Sequence, residues 1–459
     1  MPTSFQQHAE RGDTALSHDR HDDALAAFES ALSAARQPHE RARALDGMAN
    51  ACFHLGRHQR ALELLDEAIG LFGPMVESHG SQSLPLVRAL YDKGGMLAQL
   101  GKTAEALDVF DGLVGRFADQ ASADGDRDEE ELQFRYTVVM SMGLKATGLH
   151  KLGRDREAIA CYDDMIRRFE RVDEVAIEEL VARGMRNRAW LLGDIGRQDE
   201  EIAGYAALVA RYGENHLLSV SHLILDALTG TMQCYRDQEE YEKAIAACDE
   251  ITRRYHFDPG DGIAERVART MIRRANFLNK LGRKEDELAA YDQVVLFFGR
   301  FPVPDVRVHA AKALMFKGVS LNEADQAAAE MACYEEVIRR YAEDEDATVR
   351  AVAADALIYK GMSLAAIAED AAEDTGVRDL DPEIACYDEA IRRYGNDDSI
   401  HLQRAVAEAL LHKAESLAEA RRAPEAAACL EMLIARHAAI DDEELAETVK
   451  EARALQAEI

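Results

Sequence analysis

The chain has 459 residues, with 85 acidic against 54 basic side chains and a formal net charge of −31. So acidic a chain lacks the cationic face that general nucleic-acid binding needs to neutralise phosphates, and the charge is expected to act first through solubility. Its seven cysteines are odd in number and none is paired at short spacing, which argues against a disulfide framework and against a zinc site.

The segment Met1 to His8 has neither a basic start nor an apolar run, and no later stretch reads as long enough to span a bilayer. A cytoplasmic protein is the expectation. From there on the chain is periodic. Tyr205, Cys248, Tyr291 and Tyr334 stand 43 residues apart and carry a pattern with them. The residue four before that slot serves as an anchor: Ala24, Ala61, Ala106, Ala158, Glu201, Ala244, Glu287, Glu330, Glu383 and Ala426. Seven after each anchor lies an apolar residue, from Ala31 to Leu433, so positions i, i+4 and i+7 form one stripe of a helix, helix B. Twelve before the anchor the chain is small: Gly12, Ala49, Gly94, Ala146, Ala189, Ala275, Gly318 and Ala414. Gly361 joins them if repeat nine carries a ten-residue insertion, and only Met232 is large. Sixteen before the anchor an aliphatic residue recurs, as in Leu45, Met142, Met271 and Leu410, marking helix A. Leu55-Gly56-Arg57, Leu100-Gly101-Lys102, Leu152-Gly153-Arg154 and Leu281-Gly282-Arg283 predict a left-handed helix stop between the two. The stride breaks twice, near 118–131 and near 369–381, and both surpluses are expected to be exposed loops. One further amphipathic period, within 440–459, predicts a terminal capping helix.

Charge is periodic too. Thirteen before the anchor stand Lys93, Lys145, Arg188, Arg274, Lys317 and Lys413, and five after it Asp66, Asp111, Asp163, Asp249, Asp292, Glu335 and Asp388. They predict a ladder of pairs fixing helix A against helix B, setting register more than stability. The Arg-Arg pairs that recur near helix B ends suit the helix carboxyl terminus. Gly95 to Thr103 misses a phosphate loop by one residue and repeats as a turn elsewhere. His54 with His58, and His18 with His21, lack a third ligand. No catalytic residues, no metal site and no cofactor are read from the sequence.

This spacing of aliphatic, small, alanine and aromatic residues resembles the tetratricopeptide repeat over nearly the whole chain, although the family's usual repeat is 34 residues long. The surplus predicts a helix A lengthened at its start, where Leu86, Val138, Val181, Ile224 and Val267 extend the stripe. The resemblance implies an all-α right-handed solenoid superhelix of about ten helix pairs over 1–439, since units that cannot bury their own apolar face must stack. It also implies that A helices line a groove that takes extended peptides or partner helices. In repeats five to eight the groove slots hold Arg183, Arg186, Asn187 and Trp190, then Gln233 and Arg236, then Arg269, Arg273, Asn276 and Lys280, then Lys312 and Phe316. Arginine and tryptophan are the residues most often found as binding hot spots. Arg186, Arg269 and Arg273 fall on slots resembling the carboxylate clamp of chaperone-binding members, while Trp190 and Gly230 stand where that clamp has asparagines. The function implied is a non-enzymatic interaction scaffold whose partner presents acidic or polar segments. A ligand-responsive regulatory sensor and the regulatory subunit of an enzyme complex are the alternatives.

Overall fold

The computed structural model describes residues 4–79, 83–123, 128–214, 217–256, 262–375 and 378–459. Among the described residues the regular elements are 21 α-helices, with no strand. The chain divides into two compact units, Met1–Thr231 and Met232–Ile459, where the sequence reads as one array. The division falls at the one large side chain in the small slot. The first unit holds α1 (Ser4–Leu16), α2 (His21–Ala34), α3 (Pro38–His54), α4 (His58–His79), α5 (Ser83–Gln99), α6 (Thr103–Ser122), α7 (Glu129–Lys151), α8 (Asp155–Phe169), α9 (Val175–Asp194), α10 (Gln198–Tyr212) and most of α11 (Leu218–Asp237). The second continues with α12 (Tyr241–Tyr255), α13 (Ile263–Lys280), α14 (Lys284–Phe298), α15 (Pro304–Asn322), α16 (Ala327–Tyr341), α17 (Ala347–Thr375), α18 (Asp381–Tyr394), α19 (Ile400–Glu419), α20 (Ala423–His437) and α21 (Glu443–Glu458). Odd-numbered helices up to α19 are the predicted A helices and even-numbered ones the B helices.

Each repeat closes around its aromatic slot. In the first unit the Phe28 ring lies on Gly12 of its own A helix and on Gly47 of the next, where an added Cβ would stand 2.7 and 2.4 Å from ring carbons. In the second unit Tyr334 lies on Gly318 and Tyr387 on Gly361, each at 2.6 Å from such a Cβ. Carbon atoms cannot approach so closely, so the ring itself requires the small residue. A second aromatic slot lies eleven after the anchor in repeats two to nine: Phe72, Phe117, Phe169 and Tyr212 in one unit, Tyr255, Phe298, Tyr341 and Tyr394 in the other, and from Phe169 on it ends the B helix. All are buried. Tyr341 and Tyr394 donate their hydroxyls to the carbonyls of Gly299 and Ala342, each 3.3 Å away at the end of the preceding B helix. In the last repeat this slot holds His437, with 0% exposure and neither ring nitrogen hydrogen-bonded. Burial pulls its pKa down to about 4.

The charged ladder is present, and it joins neighbouring repeats. Lys93, Lys145 and Arg188 reach back to Asp66, Asp111 and Asp163 on the preceding B helix. Arg274, Lys317, Lys360 and Lys413 do the same to Asp249, Asp292, Glu335 and Asp388, and all seven pairs lie at 2.5–2.7 Å. The Arg-Arg pairs answer to a carboxylate more than to the helix end: Arg253 and Arg254 both bond Glu250, holding its carboxyl at about 2. Arg339 and Arg340 do likewise for Glu336.

Between the two helices of a repeat, five before the anchor, the backbone turns left-handed at Gly56, Gly101, Gly153, Gly196 and Gly282. Asp19, Glu239, Asp325 and Arg421 adopt the same positive φ in the remaining regular repeats, without the freedom that glycine has there.

The two insertions depart from the expected loops. α6 continues through Ser122 because Phe117, Ala118 and Ala121 prolong its buried stripe. Asp128 then caps α7, accepting from the Glu131 N–H at 2.8 Å, and only 124–127 lie outside the described residues. α17 runs 29 residues to Thr375, through an alanine-rich stretch with no glycine between Gly361 and Gly376 to stop it sooner. Residues 376–377 lie outside the described residues. The same helix corrects the membrane expectation: Ala347–Ala372 is long and apolar enough to cross a bilayer. Half of the qualifying window is buried against neighbouring helices, as in a core helix. At the chain's end α21 packs Leu445, Val449 and Ala452 into the last hydrophobic cluster.

Candidate functional site

The predicted site residues lie in two units and form two sets. In the first unit they stand on α9. Arg183 is tied to Glu179 at 2.8 Å within the helix. Arg186 approaches Asp226 at 3.9 Å through its Nε, which is shut away from solvent and makes no hydrogen bond. Asn187 donates to the Tyr162 hydroxyl at 3.3 Å, so its amide supports the repeat's aromatic slot. Trp190 is 47% exposed and meets the His150 ring edge-on at 5.4 Å. Arg186, Asn187 and Trp190 do come together, lining with His150 a cavity of about 290 Å³, whereas Arg183 lines a smaller neighbouring one.

In the second unit the set begins at the end of α11. Gln233 is half-buried, and Arg236 is bonded by its neighbour Asp237 at 2.7 Å. On α13, Arg269 pairs loosely with Glu265 at 3.6 Å, one turn away. Arg273 is half-buried and has no ion pair among the described residues. Burial, then Arg269, then Arg236 lower its pKa, so three guanidinium groups share one stretch of surface with too few acids. Asn276 accepts from the Tyr291 hydroxyl at 3.0 Å. Lys280 and Lys312 are exposed, and Phe316, 43% exposed, stands 6.3 Å from the Tyr291 ring.

Three features escaped the sequence reading. The first is a run of buried carboxylates at the anchor position. Glu287 accepts from Asn279 at 3.0 Å and from Ser320 of the next A helix at 2.7 Å. Glu330 repeats this with Asn322 at 2.9 Å and Ser363, and Glu383 is held by Arg378. The signal was available, since Glu287 and Glu383 are followed by a serine ten before the next anchor, Ser320 and Ser416, and Glu330 by Ser363 once the ten-residue insertion is allowed for. These asparagines are thereby committed inside the repeat. The second is a cluster of His150, Asp155 and Asp194, whose donor atoms lie within 4.8 Å of one another, with His150 and Asp155 joined at 2.7 Å. It draws on two repeats, so no local spacing betrays it. The third is a cavity of about 650 Å³ in the first unit that contains Asp46 and Asp92. The cysteines are free and buried, and burial raises the thiol of Cys161 to about 11 and that of Cys248 to about 12.

Repeated helix pairs, glycine turns and interlocking aromatic slots define an α-helical repeat protein. A model of the tetratricopeptide repeat family matches residues 10–75, and the chain as a whole is a helical repeat protein similar to that type. No curated protein matches the sequence. Among solved structures it is similar to the apo form of RapI, with 10% identity, 91% of this chain and 98% of that one covered, and a TM-score of 0.43. It is also similar to the apo form of the quorum sensor NprR from B. thuringiensis, with 13% identity, 73% and 86% covered, and a TM-score of 0.38. A tetratricopeptide repeat protein from Parabacteroides merdae matches with 12% identity, 68% and 99% covered, and a TM-score of 0.34.

Proposed function

We propose that this chain is a non-enzymatic interaction module whose second unit grips an acidic segment of a partner protein along α13 and α15. The observation that carries this reading is Arg273, a half-buried guanidinium beside Arg269 and Arg236 with no ion pair among the described residues, in a chain of net charge −31. Crowded cations left without counter-charges gain most from a ligand that brings carboxylates, and arginine can take each one through two parallel hydrogen bonds. Lys280 and Lys312 extend the positive strip, and the exposed face of Phe316 offers an apolar contact beside it. The tetratricopeptide-type repeat supports a protein partner over a small metabolite. Because the strip is exposed, salt weakens the complex.

The test is recovery of partners from native lysate on the immobilised chain, compared with the Arg269→Glu, Arg273→Glu double variant. Partners identified by mass spectrometry with the native chain and lost with the folded variant support the reading. Equal recovery by both contradicts it.

A further inference from the structure

We propose that the 650 Å³ cavity of the first unit is a binding site for a primary alkylammonium group, held between the carboxylates of Asp46 on α3 and Asp92 on α5. This site is separate from the acidic-segment site proposed above and does not depend on it.

The cavity is of the size that takes small organic ligands or an inserted side chain. Its charged lining comes from four of the six helices around it: Asp13 from α1, His39, Arg43 and Asp46 from α3, Arg88 and Asp92 from α5, and Glu130 from α7; α2 and α4 add only uncharged residues. Four carboxylates thus face two arginines. Arg43 is paired with Asp13 at 2.8 Å, while Arg88 bonds the neutral Gln133 amide at 3.3 Å and its charge also acts on Asp46 and Asp92, without forming an ion pair with either. Asp46 and Asp92 have no ion pair among the described residues. Moreover, Asp46 Oδ1 is closed off from solvent and accepts no hydrogen bond. An unmade bond at a buried carboxylate is costly and is not left so without a reason. Apart from Asn50 and Gly47, the rest of the wall is apolar: Leu16, Phe28, Phe72, Met75, Leu84 and Pro85.

A cavity with acidic groups at one wall and hydrocarbon at another fits a cation on an aliphatic stem. An ammonium has three donors and no acceptor, so it can serve both carboxylates at once. A flat guanidinium would duplicate the arginines already present, and an anion would meet four carboxylates.

Burial raises the carboxyl of Asp46 to about 7, with the neighbouring Asp92 adding to it, and burial raises that of Asp92 to about 6. Both are partly protonated near neutral pH in the empty site. Docking of an ammonium favours the ionised forms, so binding must release protons. A site whose acids served only the fold would release none on adding an amine.

The ammonium has two natural sources, a free aliphatic polyamine or a lysine side chain of a peptide. Isothermal titration of the full chain with cadaverine, and separately with an acetylated lysine-containing peptide, distinguishes them. Repeating each titration near pH 7 in buffers of different ionisation enthalpy counts the released protons. Saturable binding of either probe with proton release, weakened about tenfold or more in Asp46→Asn, supports the site. Binding of cadaverine alone assigns a free amine, and binding of the peptide alone assigns a lysine. Asp92→Asn is the second variant, and circular dichroism establishes that both keep their helix content. Absence of saturation with both probes, or binding that neither variant weakens, or binding without proton release, overturns the proposal.

Discussion

Helices α3 and α5 of the first unit and α13 of the second carry opposite chemistry on one repeat pattern. In the first unit, the slots fourteen and fifteen before the anchor hold Asp92 and Asp46, which line a cavity and are driven toward neutrality. In the second, the corresponding slot of α13 holds Arg273, crowded by Arg269 and Arg236. The packing beneath is alike, with rings closed on glycines and the same cross-repeat ion pairs. The side chains that hold the repeats together and those that meet a ligand sit at different offsets, so the first set can stay fixed while the second changes sign.

If packing is shared, its loss must be shared. Phe110→Ala in the first unit and Tyr334→Ala in the second should each cost about 3–5 kcal/mol of local stability. Segment-resolved hydrogen exchange measures this without assuming a single unfolding transition. A much smaller loss in one unit breaks the comparison. Next comes Glu330→Ala, which takes the buried acceptor away from the exposed Asn322 and the half-buried Ser363 and should cost about 1 kcal/mol, the ordinary net value of a hydrogen bond. Exchange should quicken in α15 to α17 and stay unchanged in the first unit.

Acid should separate the regions further. The carboxyls of Asp46 and Asp92 are raised in the folded chain, so their contribution is full below the ordinary carboxylate range and is lost as pH rises toward 6 and 7. His437 has the opposite sign: its folded pKa is depressed to about 4 from 6.5, so its contribution is full above 6.5 and fades as pH falls toward 4. Lowering pH from 7.5 to 5 should therefore slow exchange around α3 and α5 in the native chain relative to Asp46→Asn. Around α20 it should quicken exchange, and His437→Tyr should remove that effect by donating to the Gly395 carbonyl as Tyr394 does to Ala342. The smallest effects belong to the turns. Gly282→Ala should cost about 1 kcal/mol and Asp325→Gly should gain up to about 1 kcal/mol, read as shifts in local exchange.

Helix pairs, turns and the ion-pair ladder were legible because each repeats at one offset, and ten copies average out local noise. The insertions near 118–131 and 369–381 were misread because polar composition was taken for loop. Ala118 and Ala121 carry a buried stripe among those polar residues, and no glycine or proline stands between Gly361 and Thr375 to halt α17 sooner. The site was legible only as a list of exposed types. Sequence could not show that Asn187 and Asn276 are spent on tyrosine hydroxyls, or that Arg273 lacks the acid that Arg183 has in Glu179. Asp46 and Asp92 occupy groove slots of repeats two and three, and their importance comes from the cavity around them, which no spacing encodes.

The most direct test of the opposed-charge account is hydrogen exchange of the full chain with a glutamate-rich extended peptide as probe. Protection should appear on α13 and α15, weaken with added salt, and vanish in the Arg269→Glu, Arg273→Glu variant at unchanged helix content. Protection that persists in that variant, or that falls instead on α3 and α5, contradicts the account.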